Sequence, residues 1–132
     1  MGLDLTDRLT QGELRKEQLP WTKGKCFRGS AYVGNFVQWD DSFESLVDEQ
    51  HNLSLSLWVN DVLVQSALLS EMTISPAAQR SELLTWAPVC AGDYLFTGTP
   101  SGVGQLHPND RVYATLETHD GKVLSFIDTQ CD

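Results

Sequence analysis

The chain has 132 residues, 41% of them hydrophobic, and a formal charge of −9 from eighteen acidic and nine basic side chains. That length supports one modest core and is too short for two, so a single domain over residues 1–132 is expected. The charge opposes non-specific attraction to nucleic acid or to an anionic membrane surface, and the apolar runs LSLSLWV and DVLVQSALL stop well short of a membrane span, so neither is an expected partner.

The alternation in GLDLT predicts a short strand near residues 2–6. In TDRLTQGELRKEQLP, Thr6 is the expected cap of a helix that Pro20 ends, with Thr10 and Glu13 as a second candidate start. The Gly- and aromatic-rich WTKGKCFRGSAYVGNFVQW reads as irregular chain with a short extended piece near 31–39, and DDSFESLVDEQH as a loop or one polar helical turn. LSLSLWVNDVLVQSAL is the clearest signal: Leu53, Leu55, Leu57 and Val59 share a strand face, Asn60-Asp61 turns, and the chain returns through Val62 to Ala67 as a β-hairpin. Ser75 caps and Pro76 opens a helix whose apolar face is Leu83, Leu84 and Trp86, ended by Pro88. AGDYLFTG predicts a turn into a short buried strand, and RVYATLE and KVLSFID a final strand pair joined at His119-Asp120-Gly121. A mostly β fold with two or three short helices follows.

Cys26, Cys90 and Cys131 are an odd set without metal-type spacing, and MGLDLTDRL lacks the basic region and apolar run of a secretory signal. Reduced thiols in the cytosol are the expectation.

Two constellations could carry chemistry. LFTGTPSGVGQ has no Gly-Lys-Ser/Thr closure and no third glycine at dinucleotide spacing, which removes both nucleotide-loop readings. Its amides and the hydroxyls of Thr97, Thr99 and Ser101 could face a carboxylate or enolate oxygen, or the stretch is an elaborate turn. The other constellation is Asp4, Arg8, Gln11 and Lys25. Arg8 and Gln11 stand three apart on one helix face, able to offer a cation and an amide to one ligand. Asp4 beside fixed cations is a reasonable oxygen ligand for a hard metal such as Mg2+, and Lys25 a candidate for steadying developing negative charge. Taken singly, each also reads as a surface charge or a cap.

In order and spacing, GLDLTDRLTQ, LPWTKGKCF, LWVN and GDYLFTGTPSGVG resemble the successive landmarks of the fumarylacetoacetate hydrolase family, and the resemblance runs over nearly the whole chain. It is nearest to members of the acylpyruvase, oxaloacetate decarboxylase and hydroxymuconate isomerase type. It implies a mixed α/β, β-rich fold, a β-roll or sandwich with short helices, of which this chain is the C-terminal portion. By motif, Asp4 corresponds to the aspartate ligand of Mg2+ or Mn2+, Arg8 and Gln11 to substrate-contacting positions of a D-x-x-x-R-x-x-Q pattern, and Lys25 to the lysine that stabilises an enolate or oxyanion. Thr99, with Gly98 beside it, corresponds to the substrate-binding part of the TGTPSGVG loop, which such proteins bring to the ion held by the aspartate. The implied chemistry is metal-dependent cleavage or rearrangement of a small 1,3-dicarbonyl or oxo-dicarboxylic acid by a homodimeric protein.

Two departures stand beside the match. Leu9 occupies the place where the family usually has an aspartate after the arginine. The Glu-x-Glu metal pair and the His/Glu dyad that the family carries before this first block have no counterpart here, and His51, His107 and His119 lie outside any matching motif. His107 with Asp110, and His119 with Asp120, sit at turn signals and read as solvated pairs. An inactive homologue that binds small anions is the alternative function.

Overall fold

The computed structural model describes residues 1–132. The chain divides into two compact units, Gly2–Gly34, and Asn35–Asp132 together with Met1.

In the first unit the strand β1 (Gly2–Asp4) pairs antiparallel with β2 (Ala31–Val33), Asp4 opposite Ala31. Between them lie the helix α1 (Arg8–Lys16) and the short helical turn α2 (Thr22–Lys25). The cap of α1 is Asp7, not Thr6: its carboxylate accepts from the Thr10 backbone N at 3.0 Å and from the Thr10 hydroxyl at 2.7 Å. A charged acceptor complements the helix N-terminus better than a hydroxyl does, which leaves Thr6 for another partner. The helix stops at Lys16, four residues before Pro20, because Gln18 turns into the left-handed region at φ 58°. Lys25, expected on irregular chain, closes α2.

The second unit is built on a four-stranded antiparallel sheet of β3 (Ser54–Val59), β4 (Val62–Leu68), β5 (Arg111–Glu117) and β6 (Val123–Gln130), in the order β4-β3-β5-β6. The β3–β4 hairpin turns at Asn60-Asp61, with φ of 50° and 66°, the paired positive values that match the twist of the strands it joins. Asn60 ties this turn to β5: its side chain accepts from the Arg111 backbone N at 3.0 Å and donates to Asp110 at 2.7 Å. Leu55, Leu57 and Val59 lie opposite Leu116, Ala114 and Val112, so the period-2 apolar face continues across the sheet. Leu53, Val112, Ala114 and Ile127 are fully buried there, and each large aliphatic side chain among them contributes roughly 1.5–3 kcal/mol. The register slips by one between Leu57 and Trp58, which leaves Val64 of the edge strand β4 as a bulge.

The helix α3 (Pro76–Leu83) is capped by Ser75, which accepts from the Ala78 backbone N at 3.2 Å, with Pro76 at its first position. Its buried residues are Pro76 and Ala77; Leu84 is exposed and Trp86 is 73% exposed, so the apolar face expected there is not covered. The expected strand in AGDYLFTG is irregular chain with Tyr94, Leu95 and Phe96 exposed. A strand needs a partner ladder, and here the Thr97 carbonyl accepts from the Gln79 side chain instead, while Tyr94 stacks on Phe36 at 4.9 Å. Residues 43–47, a 3-10 turn, fulfil the one-turn reading of that segment. No helix is long and apolar enough to cross a membrane.

Candidate functional site

Three backbone features of the first unit bring Asp4 and Lys25 together. The chain leaves β1 still extended, with Leu5 N donating to Ser30 O at 2.7 Å, and the start of α1 is tied to α2 by Asp7 N to Gly24 O at 3.0 Å. Gly24 then lies directly on α1, where a Cβ would stand only 2.9 Å from Gln11 Cβ and 3.0 Å from Gln11 N. Glycine is what lets the two segments approach so closely. At the end of α2, the Lys25 ammonium donates to Asp4 Oδ2 at 2.6 Å and to Thr6 Oγ1 at 3.0 Å. Of the three donors an ammonium carries, one is left for a ligand oxygen. The side chains of Lys25 and Asp4 are 36% and 47% exposed, so solvent reaches both.

On α1, Arg8 Nη1 donates to Gln11 Oε1 at 3.1 Å. A guanidinium only donates, so the amide oxygen faces it and the amide NH2 is the end presented elsewhere. Gln11 is 8% exposed, whereas Leu9, in the place of the missing aspartate, is 84% exposed and meets no polar partner. Thr6 was read from sequence only as a helix cap, not as a partner of Lys25. The signal was present in the period-2 spacing of Asp4 and Thr6, which puts both on one side of extended chain.

In the second unit the loop 97–104 is held by two glutamines that sequence reasoning passed over. Gln65, on the core-facing side of β4 opposite Leu57, is 8% exposed. Its Nε2 donates to Thr99 Oγ1 at 2.9 Å and to Pro100 O at 2.8 Å, with Ser101 O at 3.4 Å. Gln79 Nε2 donates to Ile74 O at 2.9 Å and to Thr97 O at 3.0 Å. A lone amide inside the apolar run VLVQSAL was the available clue. Gly102 passes against the Val64 bulge, where a Cβ would fall 1.9 Å from Val64 O, and Gly98 takes φ 118° in open space. Of the three loop hydroxyls, those of Thr97 and Ser101 make no side-chain hydrogen bond, and Thr99 alone is engaged, as an acceptor.

The histidines belong to turns. His107 and Asp110 are 3.5 Å apart, with the His107 backbone N donating to the same carboxylate at 2.7 Å. His51 lies 3.1 Å from Asp41, and Asp120 accepts from Thr118 rather than from His119. The backbone N–H of His107, then the Asn60 amide, hold the Asp110 carboxyl below its ordinary range.

No group of three or more His, Cys, Asp or Glu side chains is placed to hold a metal ion. Asp4 offers one carboxylate, already ion-paired, and hard divalent ions take about six oxygen ligands, so the donors of this chain do not by themselves complete such a site.

Residues 1–124 match the family described as fumarylacetoacetate (FAA) hydrolase, C-terminal. The chain is 38% identical over 114 residues to the mitochondrial oxaloacetate tautomerase FAHD1 of Bos taurus, covering 86% of this chain and 49% of that protein. A crystal structure from Oleispira antarctica superposes with a TM-score of 0.89 at 30% identity, over 99% of this chain and 57% of the other. The structure of fumarylpyruvate hydrolase from Pseudomonas aeruginosa, in complex with Mn2+ and pyruvate, gives a TM-score of 0.77 at 29% identity, over 99% and 53%. The chain thus spans about half the length of the curated relatives it matches.

The mixed α/β, β-rich fold expected from the sequence is the fold of these proteins. The cytosolic expectation is corrected. The relatives from Bos taurus, Homo sapiens, Schizosaccharomyces pombe and Saccharomyces cerevisiae are mitochondrial proteins, and reduced cysteines do not single out the cytosol among reducing compartments.

Proposed function

Because this chain belongs to the fumarylacetoacetate hydrolase family, we propose that residues 1–132 act as one catalytic domain, the C-terminal portion of a metal-dependent hydrolase or lyase. Its substrate is a small 1,3-dicarbonyl or oxo-dicarboxylic acid: an acylpyruvate, oxaloacetate or a ring-cleavage product. The observation that carries this reading is the Lys25 ammonium, fixed by Asp4 at 2.6 Å and Thr6 at 3.0 Å.

In such an acid the bond that breaks joins one carbonyl carbon to the carbon between the two carbonyls. Water adds to that carbonyl carbon, which leaves as a carboxylic acid (a carboxylate carbon leaves as CO2). The electron pair forms an enolate with the remaining carbonyl, whose oxygen carries the charge until the middle carbon is protonated. Lys25 is the group assigned to that oxygen, since a fixed ammonium with an unused N–H meets developing charge without reorganising. Arg8 is assigned to a substrate carboxylate and Gln11, through its NH2, to a substrate oxygen. Thr99 and the Gly98 backbone are assigned to substrate binding by the loop. Asp4 is this chain's single proposed ligand to Mg2+ or Mn2+, an ion that would supply Lewis-acid polarisation; its other donors would be substrate, water and groups outside the Asp4–Lys25 cluster. The Mn2+ and pyruvate in the Pseudomonas aeruginosa relative support this choice of ion and ligand class. A homodimer is proposed as the working state, supported by exposed apolar side chains such as Phe36, Tyr94, Trp86 and Val103.

Keto–enol exchange of oxaloacetate and cleavage of acetylpyruvate, followed by ultraviolet absorbance with Mg2+ or Mn2+ present, test the reading. Turnover by the chain that disappears in Lys25→Met supports it; equal turnover in both overturns it. A second reading, an inactive homologue that binds small anions, is favoured by the lack of a three-ligand metal cluster. It predicts pyruvate binding with neither reaction.

A further inference from the structure

Gln65 is a polar side chain on the core-facing side of β4, in a row with Leu57, Ala114 and Ile127. At 8% exposure an amide there is costly unless its groups are satisfied. Its surroundings decide which way round it sits. Pro100 O and Ser101 O only accept, so the NH2 and not the carbonyl must face them. One N–H goes to Pro100 O at 2.8 Å, and the other to Thr99 Oγ1 at 2.9 Å.

That second bond settles the polarity of the threonine. An amide nitrogen does not accept, so Thr99 Oγ1 must act as acceptor toward Gln65, and its own proton is turned away from β4. Thr99 is exposed and its hydroxyl donates to no group of the chain. A hydroxyl that accepts one hydrogen bond is also a stronger donor of the next, since the two bonds polarise each other.

We infer that Gln65 is a positioning residue: by donating to Thr99 Oγ1 it fixes the Thr99 hydroxyl as an outward donor to a carboxylate or enolate oxygen of a small oxo-acid. Gln65 touches no ligand itself. The Val64 bulge and the Gly102 crossing hold the loop at the distance this needs, because Gly102 lies against the Val64 carbonyl. The inference rests on the proposed function in one respect, that Thr99 meets the ligand.

A double-variant cycle on the full chain tests it, with pyruvate titrated in the presence of Mg2+ and binding followed by NMR. Thr99→Val and Gln65→Met are each expected to weaken pyruvate binding by about tenfold, the worth of one hydrogen bond to a charged group. The double variant should bind no worse than Thr99→Val alone. Independent, multiplying losses would give Gln65 a purely structural role and overturn the inference. Binding that Thr99→Val weakens and Gln65→Met leaves unchanged overturns it alone, whereas no pyruvate binding by the unaltered chain overturns both it and the proposed function. A second measurement needs no Gln65 variant. The Gln65 side-chain amide protons should exchange slowly with solvent, and one of them should lose protection in Thr99→Val; unchanged protection contradicts the bond.

Discussion

The Lys25 ammonium stands 2.6 Å from the Asp4 carboxylate although the two residues are 21 apart in sequence, and solvent reaches both side chains. An ion pair this exposed contributes at most about 1 kcal/mol to folding. Asp4→Asn should therefore lower the unfolding free energy measured in urea by no more than that amount while releasing Lys25 from its fixed position. A loss of several kcal/mol would show that the pair is structural.

The two positive-φ glycines of the loop should behave differently. At Gly102 a Cβ meets Val64 O at 1.9 Å as well as a φ of 98°, so Gly102→Ala should cost about 3 kcal/mol or more. At Gly98 only the φ of 118° opposes a side chain, with nothing within 4 Å, and Gly98→Ala should cost about 1–2 kcal/mol. Urea unfolding of the two variants side by side checks the order; equal losses would contradict the close crossing at Val64.

Gly24→Ala sets helix propensity against space. Alanine gains roughly 0.5–1 kcal/mol in a helical turn, but here the new Cβ meets Gln11 at 2.9–3.1 Å, and two of the three atoms are backbone that cannot swing aside. Overpacking of this kind costs about 1–3 kcal/mol. The expected outcome is net destabilisation of the first unit, read by hydrogen exchange of α1 amides; slower exchange in the variant would mean that propensity wins.

Acid should unfold the chain through a definable set of carboxylates. Asp7 is held below the ordinary carboxylate range by the Thr10 hydroxyl, Asp110 by the His107 backbone N–H, and Asp128 by hydrogen bonds from Arg111. With folded values lowered from about 3.9, the unfolded chain binds more protons in acid, so this stabilisation is present above that value and is lost as pH falls through the folded values. Urea midpoints should fall as the pH drops below about 4. Asp110→Asn should flatten that slope, and an unchanged slope would remove Asp110 from the set.

What the sequence made legible follows from how local each feature is. The β3–β4 hairpin was readable because Asn60-Asp61 favours positive φ and the flanking residues alternate. The α3 start was readable because Ser75 and Pro76 form a cap in adjacent positions. Asp4 and Lys25 were grouped with Arg8 and Gln11 as one constellation, but their direct contact was not legible, since no periodicity connects residues so far apart. The misreadings share a different cause. Strand propensity in AGDYLFTG counted for nothing without a partner ladder, and the apolar Leu84 and Trp86 found no surface to pack on. Gln65 acts on Thr99 only because a bulge at Val64 and a glycine crossing at Gly102 set the approach, and both are products of tertiary packing.

Pyruvate titrated into chain carrying lysine labelled with 13C at Cε, its ammonium groups unmodified, tests the central claim most directly. The resonance assigned to Lys25 by its absence in Lys25→Arg should shift and saturate, while those of Lys16, Lys23 and Lys122 stay in place. Saturable binding that leaves the Lys25 signal unmoved would contradict the account, because the ligand would then be held by some other part of the chain.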